Sequence, residues 1–468
     1  MLILLIVYSI ALVAVGAWIG RSVRKSEDFF VGGRSLGAGA LFATFLAANI
    51  GAASTVNATG LAYHHGLAAW WWNGAAGLGT LVLAFVVGPR IWALATARGY
   101  LTVGDFLDDH FGRHVRLLAT AIIWLGSLSI FAAQIIGAAA VLVVAGGVSY
   151  TTGAFVSVGV MTAYFAFGGL LSSAWVNRVQ LIVILAGFTV AVVFALGRAG
   201  GIGVVGEAVP GTTFFTGTTG LASTAGWPLL FLLVPNFFLS PGLIQRAYAA
   251  RSVSELRTGI GWCGVALLVF AFAPVALGMS ARALLPDLAG EPLQMILPTL
   301  LAEAVPTMVG ALALAAVFSA EISSADAVLY MLSTSGARDI YRGVIKPDAT
   351  DAELLRAARI TAVLGGIGGF VLVFYYESIY AALGAFYSVV GVTLLAPVLG
   401  GLFLPRGGRT AALASIVVGI IALYGSPPLL PAGTWVTSSV LCLTASVATY
   451  LAVAVIRPGT QSPTSPSA

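Results

Sequence analysis

Apolar stretches of about twenty residues follow one another almost without pause from Leu2 to Ile456, separated by short polar or glycine-containing links. A bilayer core about 30 Å thick takes roughly 20 apolar residues per helical crossing. The spacing therefore predicts thirteen membrane spans, near 2–20, 38–62, 67–88, 117–145, 151–169, 179–197, 227–245, 258–280, 306–335, 357–375, 379–402, 409–424 and 435–456. Two of them interrupt their own apolar pattern. The second reads FATFLAANIGAASTVNATGLAYHHG, with Asn49, Gly51, Ser54, Thr55 and Asn57 in its middle; the seventh reads LVPNFFLSPGLIQR, with Pro235, Asn236, Ser240, Pro241 and Gly242. Unwound backbone at membrane depth is tolerated only where it is buried in protein or lines a water-filled cavity, so both spans are expected to be broken helices. The breaks lie five spans apart, an odd number, so the two segments enter the membrane in opposite directions. This is the pattern of a five-plus-five inverted repeat with its binding site at the breaks.

Composition agrees with that reading: 59% of residues are hydrophobic and 8% charged, against about 25% charged in soluble domains. No segment is long enough for a separate soluble domain. One all-α integral membrane domain is expected over 1–456, with a leading helix and inner loop at 1–36, repeats at 37–197 and 226–402, trailing helices at 408–456 and a disordered tail at 457–468. With the N-terminus outside, 20 of the 22 Lys and Arg residues fall on inner loops, leaving Arg198 and Arg282 outside, as the positive-inside rule requires. The net charge of +5 is thereby a matter of topology and no argument for nucleic acid. A multi-pass protein of the plasma membrane, the inner membrane in a bacterium, is expected, with the lipid bilayer and a small solute as partners and no obligatory protein partner. The first apolar run lacks a basic leader and is followed at once by RSVRK, so it reads as a retained span and not a signal peptide. Cys263 and Cys442 lie inside apolar runs and read as packing residues.

EDFFVGGRSLG (27–37), FLAANIGA (45–52), GGLLSSAWVNRVQ (168–180), QRAYAARS (245–252) and SAEISSADAVLYMLSTSGARDIYR (319–342) occur in this order. Together they resemble the sodium/solute symporter family, which includes the sodium/proline and sodium/sugar cotransporters. The resemblance implies a LeuT-like fold with one extra N-terminal and two extra C-terminal helices. It also implies a sodium site made of the carbonyls of Ala47, Ile50 and Ala316 and the hydroxyl of Ser319, oxygen ligands of the kind a hard cation prefers. Family cavity positions fall on Asn49, Ser54, Trp72, Asn73, Ser240 and Gly242, with Phe386 and Tyr387 beside them, and no Arg or Lys is among these. Two features depart from the family: Ala320 replaces a second hydroxyl, and Val176 and Asn177 replace a Thr-Asp pair, removing a carboxylate.

Of the 17 acidic residues, Glu321 and Asp326 alone are placed well within a span. Ionisable groups at that depth are functional-site candidates because holding them there is costly. At 100° per residue, Ala316, Ser319, Ala320, Ser323 and Asp326 share one helix face and Glu321 sits on its shoulder. Three readings of Glu321 stay open: a neutral packing group, a proton carrier, or a cation ligand. Asp326, nearer the inner surface, could equally pair with Arg178 or Arg246.

The expected function is a secondary active symporter that couples sodium influx to uptake of a small polar solute by alternating access. The alternatives are proton coupling through Glu321, or a transporter-like sensor. No span pairs a nucleophile with a base, so an enzyme is not expected. His110 and His114 lack an acid between them for a zinc motif, and His64 and His65 read as an outer turn. The NAT sequon at 57–59 lies within a span, and GGIGG at 365–369 reads as a close helix contact. WWW at 70–72 is either an interfacial belt or a cavity wall. Replacing Gly51 or Gly242 by Val is expected to abolish solute binding while leaving the protein folded and inserted.

Overall fold

A chain in hydrocarbon must satisfy its backbone internally, and this one does so with helices. The computed structural model describes residues 1–20, 34–209, 221–404, 406–425 and 437–459. Among these the one extended contact is an isolated bridge between Leu36 and Ala250. Where the thirteen expected spans fall on described residues, most of their length is helical. Nine helical runs among the described residues are long and apolar enough to cross a bilayer by length and composition.

The leading helix is α1 (Leu2–Gly20). The first broken span is α2 (Ala38–Asn49), a π-helical turn at Ala53–Asn57, and α3 (Ala58–His65). Next come α4 (Trp70–Val82) and α5 (Gly88–Arg98), joined by a second π-helical turn, then the short α6 (Val103–Phe111) and the long α7 (Arg113–Gly146). α8 (Tyr150–Arg198) and α9 (Ile202–Glu207) precede the second break, which separates α10 (Leu221–Leu239) from α11 (Pro241–Tyr248) at Ser240. α12 (Val253–Phe270) and α13 (Phe272–Leu284) form one run bent at Ala271, followed by α14 (Leu293–Glu303). α15 (Thr307–Ser335), α16 (Asp351–Val373) and α17 (Ile379–Phe403) complete the core, with α18 (Arg409–Gly425) and α19 (Ser438–Ile456) trailing.

Three features differ from the sequence expectation. The two spans at 151–169 and 179–197 lie in a single helical run, α8; at 1.5 Å per residue its 49 residues measure about 74 Å, more than two crossings. The third span continues through Arg90 to Arg98, because the π turn at Leu83–Val87 and the following Pro89 at the start of α5 prolong the helix past the apolar run. α14, 11 residues long, falls where the hydropathy predicts loop; it is too short to read as a span, and its Ile296, Leu297, Leu300 and Leu301 are buried in the bundle.

α15 is the central post. From Ala313 to Ser335 every one of its residues is buried, whereas Trp262 and Val269 of α12, and Ile367 and Val371 of α16, face outward as lipid-contacting side chains do. Gly366 and Gly369 of α16 let Thr162 and Phe131 come so near that a β-carbon at either glycine would overlap them, which is the close helix contact expected of GGIGG.

Candidate functional site

The first break works because side chains replace the helical hydrogen bonds it gives up. Ile50 leaves the helix in an extended conformation (φ −95°, ψ 97°). Ser54 Oγ donates to the Asn49 carbonyl (2.9 Å) and accepts the Gly51 N–H (3.0 Å). The Ala52 N–H goes to Gln134 Oε1 on α7 (3.0 Å), and Thr55 Oγ1 donates to the Gly51 carbonyl (2.8 Å). Asn73 Nδ2 on α4 donates to the Ser54 carbonyl (2.9 Å). A β-carbon on Gly51 would overlap the Ser324 side chain and stand 2.6 Å from Gln134 Oε1, so only glycine lets these groups converge.

From the other side α15 brings two hydroxyls onto the end of α2. Ser323 Oγ lies 3.0 Å from the Ala47 carbonyl and 2.9 Å from that of Ala320; Ser324 Oγ lies 3.1 Å from the Ala48 carbonyl and 3.4 Å from that of Ala47. The resemblance points one turn earlier, to Ala316 and Ser319. In the structure Ser319 Oγ instead accepts from the Tyr8 hydroxyl of α1, and Ala316 packs against Gly187 of α8. Two adjacent hydroxyls, Ser323 and Ser324, stand one turn later on α15, at the carbonyls of Ala47 and Ala48. The signal is in the sequence as SS at 323–324; four residues make about one helical turn, so Ser319 and Ser323 share a face and the pattern alone does not separate them.

Between the breaks lies a cavity lined by residues of both. Asn49, Ser54, Trp72, Asn73, Ser240 and Gly242 all line it, as do Phe386 and Tyr387. Trp72 is thus a wall of the cavity, its ring 5.5 Å from that of Tyr380 and 6.5 Å from that of Tyr387, with Phe237 6.0 Å from Tyr387. The sequence reading misses Gln134, Asn236, Ser324 and Arg246, which also line it. Arg246 corrects an expectation: the charge pattern places it on an inner loop and no basic residue in the cavity, yet it is 1% exposed within α11. Gly242 is less crowded than Gly51. A β-carbon there would meet nothing closer than Met331 Cβ at 3.5 Å, ordinary contact.

The two intramembrane acids point to different places. Glu321, fully buried, accepts from Thr55 Oγ1 at 3.1 Å and lies against Gly137 of α7, so it braces the α3 side of the break and does not join the two serines. Asp326, 2% exposed, is near enough to Tyr164 and Arg246 to act on both through space. Asn177 Nδ2 faces Thr44 Oγ1 at 3.4 Å. Asn57 of the sequon is fully buried. His110 bonds the Phe106 carbonyl at 3.0 Å within its own helix.

A sodium:solute symporter family model matches residues 29–419, from ahead of the first break into α18. The chain belongs to the sodium:solute symporter family. It is similar to the sodium/glucose cotransporter of Vibrio parahaemolyticus, 27% identical over 88% of this chain and 82% of that protein. It is likewise similar to the high-affinity proline transporter PutP of Bacillus subtilis (27%, 86% and 87%) and the sodium/pantothenate symporter of Escherichia coli (27%, 84% and 83%). Among solved structures, a substrate-bound, outward-open sodium-coupled sialic acid symporter superposes with a TM-score of 0.83, covering 98% of both chains at 19% identity. Mhp1, a nucleobase-cation-symport-1 family transporter, gives 0.63 at 15% identity, covering 92% of this chain and 95% of that one. At those identities the likeness speaks for the fold, which is LeuT-like. The chain is a multi-pass membrane symporter that couples sodium to the movement of a small solute. The relatives are transporters, which points away from an enzyme.

In this symporter the basic end of the bundle is fastened by charge. Arg116 of α7 reaches Asp108 (2.9 Å), Asp339 (3.1 Å) and Asp105 (3.8 Å), while Arg338 reaches Asp105 (3.7 Å). Asp339 also accepts from Thr102 Oγ1 (2.8 Å) and Ser335 Oγ (2.9 Å). α6 itself starts with a capping box, Thr102 and Asp105 exchanging bonds with each other's backbone N–H. Arg34 donates to the Tyr100 carbonyl (2.7 Å) and the Tyr248 carbonyl (3.3 Å), tying α11 to the same cap.

Proposed function

We propose that the coupling ion is sodium, held where α15 meets the first break by the carbonyls of Ala47, Ile50 and Ala320 and the hydroxyls of Ser323 and Ser324. The solute would occupy the adjoining cavity at Asn49, Ser54, Trp72, Asn73, Ser240 and Gly242. The observation that carries this reading is the pair of serine hydroxyls on the Ala47 and Ala48 carbonyls. Carbonyl and hydroxyl oxygens are the donor set of a hard cation. A sodium ion there ties the end of α2 to α15, and the residues next along the break, Asn49, Gly51 and Ser54, line the cavity. Ion and solute thus stabilise one arrangement of the same backbone, which is what reciprocal coupling between two sites requires. Proton coupling through Glu321 is less well supported, because its carboxyl bonds to Thr55 and stands apart from the serine pair.

Sodium alone is a sufficient probe. In detergent, sodium chloride is expected to raise the unfolding temperature over potassium chloride. Ser323→Ala and Ser324→Ala should each raise the sodium concentration for half-maximal effect about tenfold or more, a loss of about 1.4 kcal/mol. Ser319→Ala and Glu321→Gln should shift it less than about twofold on the same scale. A protein indifferent to sodium, whose uptake runs on a pH gradient and stops with Glu321→Gln, would reverse the assignment.

A further inference from the structure

Arg246 is the one charged side chain among the described residues that line the central cavity. Its place follows from the second break. Ser240 ends α10, Pro241 starts α11, and one turn beyond Gly242 Arg246 lines the cavity. Nη1 donates to the Gly242 carbonyl at 3.2 Å, and the guanidinium lies over the Tyr330 ring at 5.1 Å. Nε and Nη2 have no hydrogen-bond partner although the residue is 1% exposed. Asp326 acts on it through space. A buried guanidinium with unmade hydrogen bonds is strongly unfavourable unless something completes it.

The two unused nitrogens form one edge of the guanidinium. That edge presents two parallel N–H groups, the spacing that matches the two oxygens of a carboxylate. The remaining polar side chains of the lining, among them Asn49, Asn73, Gln134 and Asn236, are neutral, so Arg246 is the one lining side chain that can meet an anion with charge, while Asp326 acts on it from outside the lining. We propose that the solute of this symporter is a small carboxylate whose anionic end is received by the Nε and Nη2 edge of Arg246, while its uncharged part lies against Trp72, Phe237 and Tyr387. This rests on the reading of the cavity as the solute site and names the solute class it takes.

The test pairs each carboxylate with its uncharged counterpart: L-lactate with L-lactamide, benzoate with benzamide, pantothenate with pantothenol. Purified protein in sodium chloride is titrated with each compound up to the high millimolar range and its unfolding temperature followed. At least one carboxylate is expected to stabilise the protein at a concentration at least about tenfold below that of its counterpart, the discrimination a charged hydrogen-bonded pair supplies. Arg246→Gln should abolish the difference. Arg246→Lys, which keeps the charge and loses the fork, should weaken the carboxylate about tenfold or more, with monodispersity on a sizing column as the folding control. No response to any carboxylate overturns the proposal, and so does equal binding of the uncharged partners. A response to sodium chloride over sodium sulfate with none to carboxylates would give the edge to an inorganic anion and also overturn it. Sodium-dependent binding of an uncharged compound that survives Arg246→Gln overturns the anion anchor and leaves sodium symport standing. Carboxylate binding that needs Arg246 but ignores sodium supports the anchor and overturns the coupling reading alone.

Discussion

The basic cap and the central cavity both bury charge, and they treat it in opposite ways. At the cap, Arg116 is shared among three aspartates and Asp339 collects a guanidinium and two hydroxyls. The cap guanidinium groups of Arg116 and Arg338 reach carboxylates although Nε of each has no partner, whereas in the cavity Nε and Nη2 of Arg246 and Oδ1 of Asn236 are all without one. Networks of paired charges hold a single arrangement, while a guanidinium edge left open is a place where a transient partner gains full desolvated hydrogen-bond strength. A transporter needs both: a closure held by contacts within the chain, and a site whose contacts are completed from outside.

The largest effect should come from breaking the closure. Asp339→Ala removes one of three carboxylates around Arg116 and strands the Thr102 and Ser335 hydroxyls. Breaking a buried ion pair on one side costs about 3–5 kcal/mol, and since Asp108 still pairs with Arg116, a loss near the lower end is expected in thermal unfolding. A cysteine in place of Thr120, which lines the small space beside Asp339 and is buried, should then react faster with a membrane-impermeant thiol reagent from the basic side when Asp339→Ala is also present. Unchanged unfolding temperature would mean that the cap is held by its apolar contacts and the contrast with the cavity is wrong.

An intermediate effect separates the two breaks. Gly51→Ala must push aside Ser324 and Gln134, so sodium stabilisation should be lost together with solute binding. Gly242→Ala meets Met331 at 3.5 Å and Arg246 Nη1 at 3.6 Å, both ordinary contacts, and should leave the sodium response within about twofold of the parent. Equal sensitivity at the two glycines would say that the second break is as tightly packed as the first.

Much of this can be read from the chain. The breaks are visible because Asn, Ser, Gly and Pro collect where the apolar pattern should be unbroken, and the cavity wall follows from the same stretches. What the sequence hides shares one cause: contacts across distant segments. Ser319 and Ser323 lie on one face of α15, and only the approach of Ala47, 276 residues away from Ser323, distinguishes them. Arg246 sits next to a loop in a run whose charge pattern fits an inner surface, and its burial is decided by Tyr330 and Gly242 packing around it. α14 is apolar but, at 11 residues, too short to cross a bilayer, so its docking against α3 and α7 leaves no trace in hydropathy.

The smallest expected effect tests whether the cap senses acid. His110 of α6 is 12% exposed, stacks on Phe106 with ring centroids 4.2 Å apart, and bonds the Phe106 carbonyl through Nδ1, so the neutral ring carries its proton there. Burial holds its pKa below the ordinary 6.5, helped by Arg98 and opposed by the Phe106 carbonyl and Asp109. A group with a depressed histidine pKa binds fewer protons in the folded cap than in the opened one. Stability therefore rises with pH across the window between the depressed value and about 6.5, is fully present above it, and is lost as the pH falls through it. The wild type should lose more stability between about pH 7 and pH 5 than His110→Phe, which keeps the aromatic contact and removes the titration. Parallel curves for the two proteins would mean that His110 opens to water before it protonates, and that α6 is less firmly seated than the ion pairs beside it suggest.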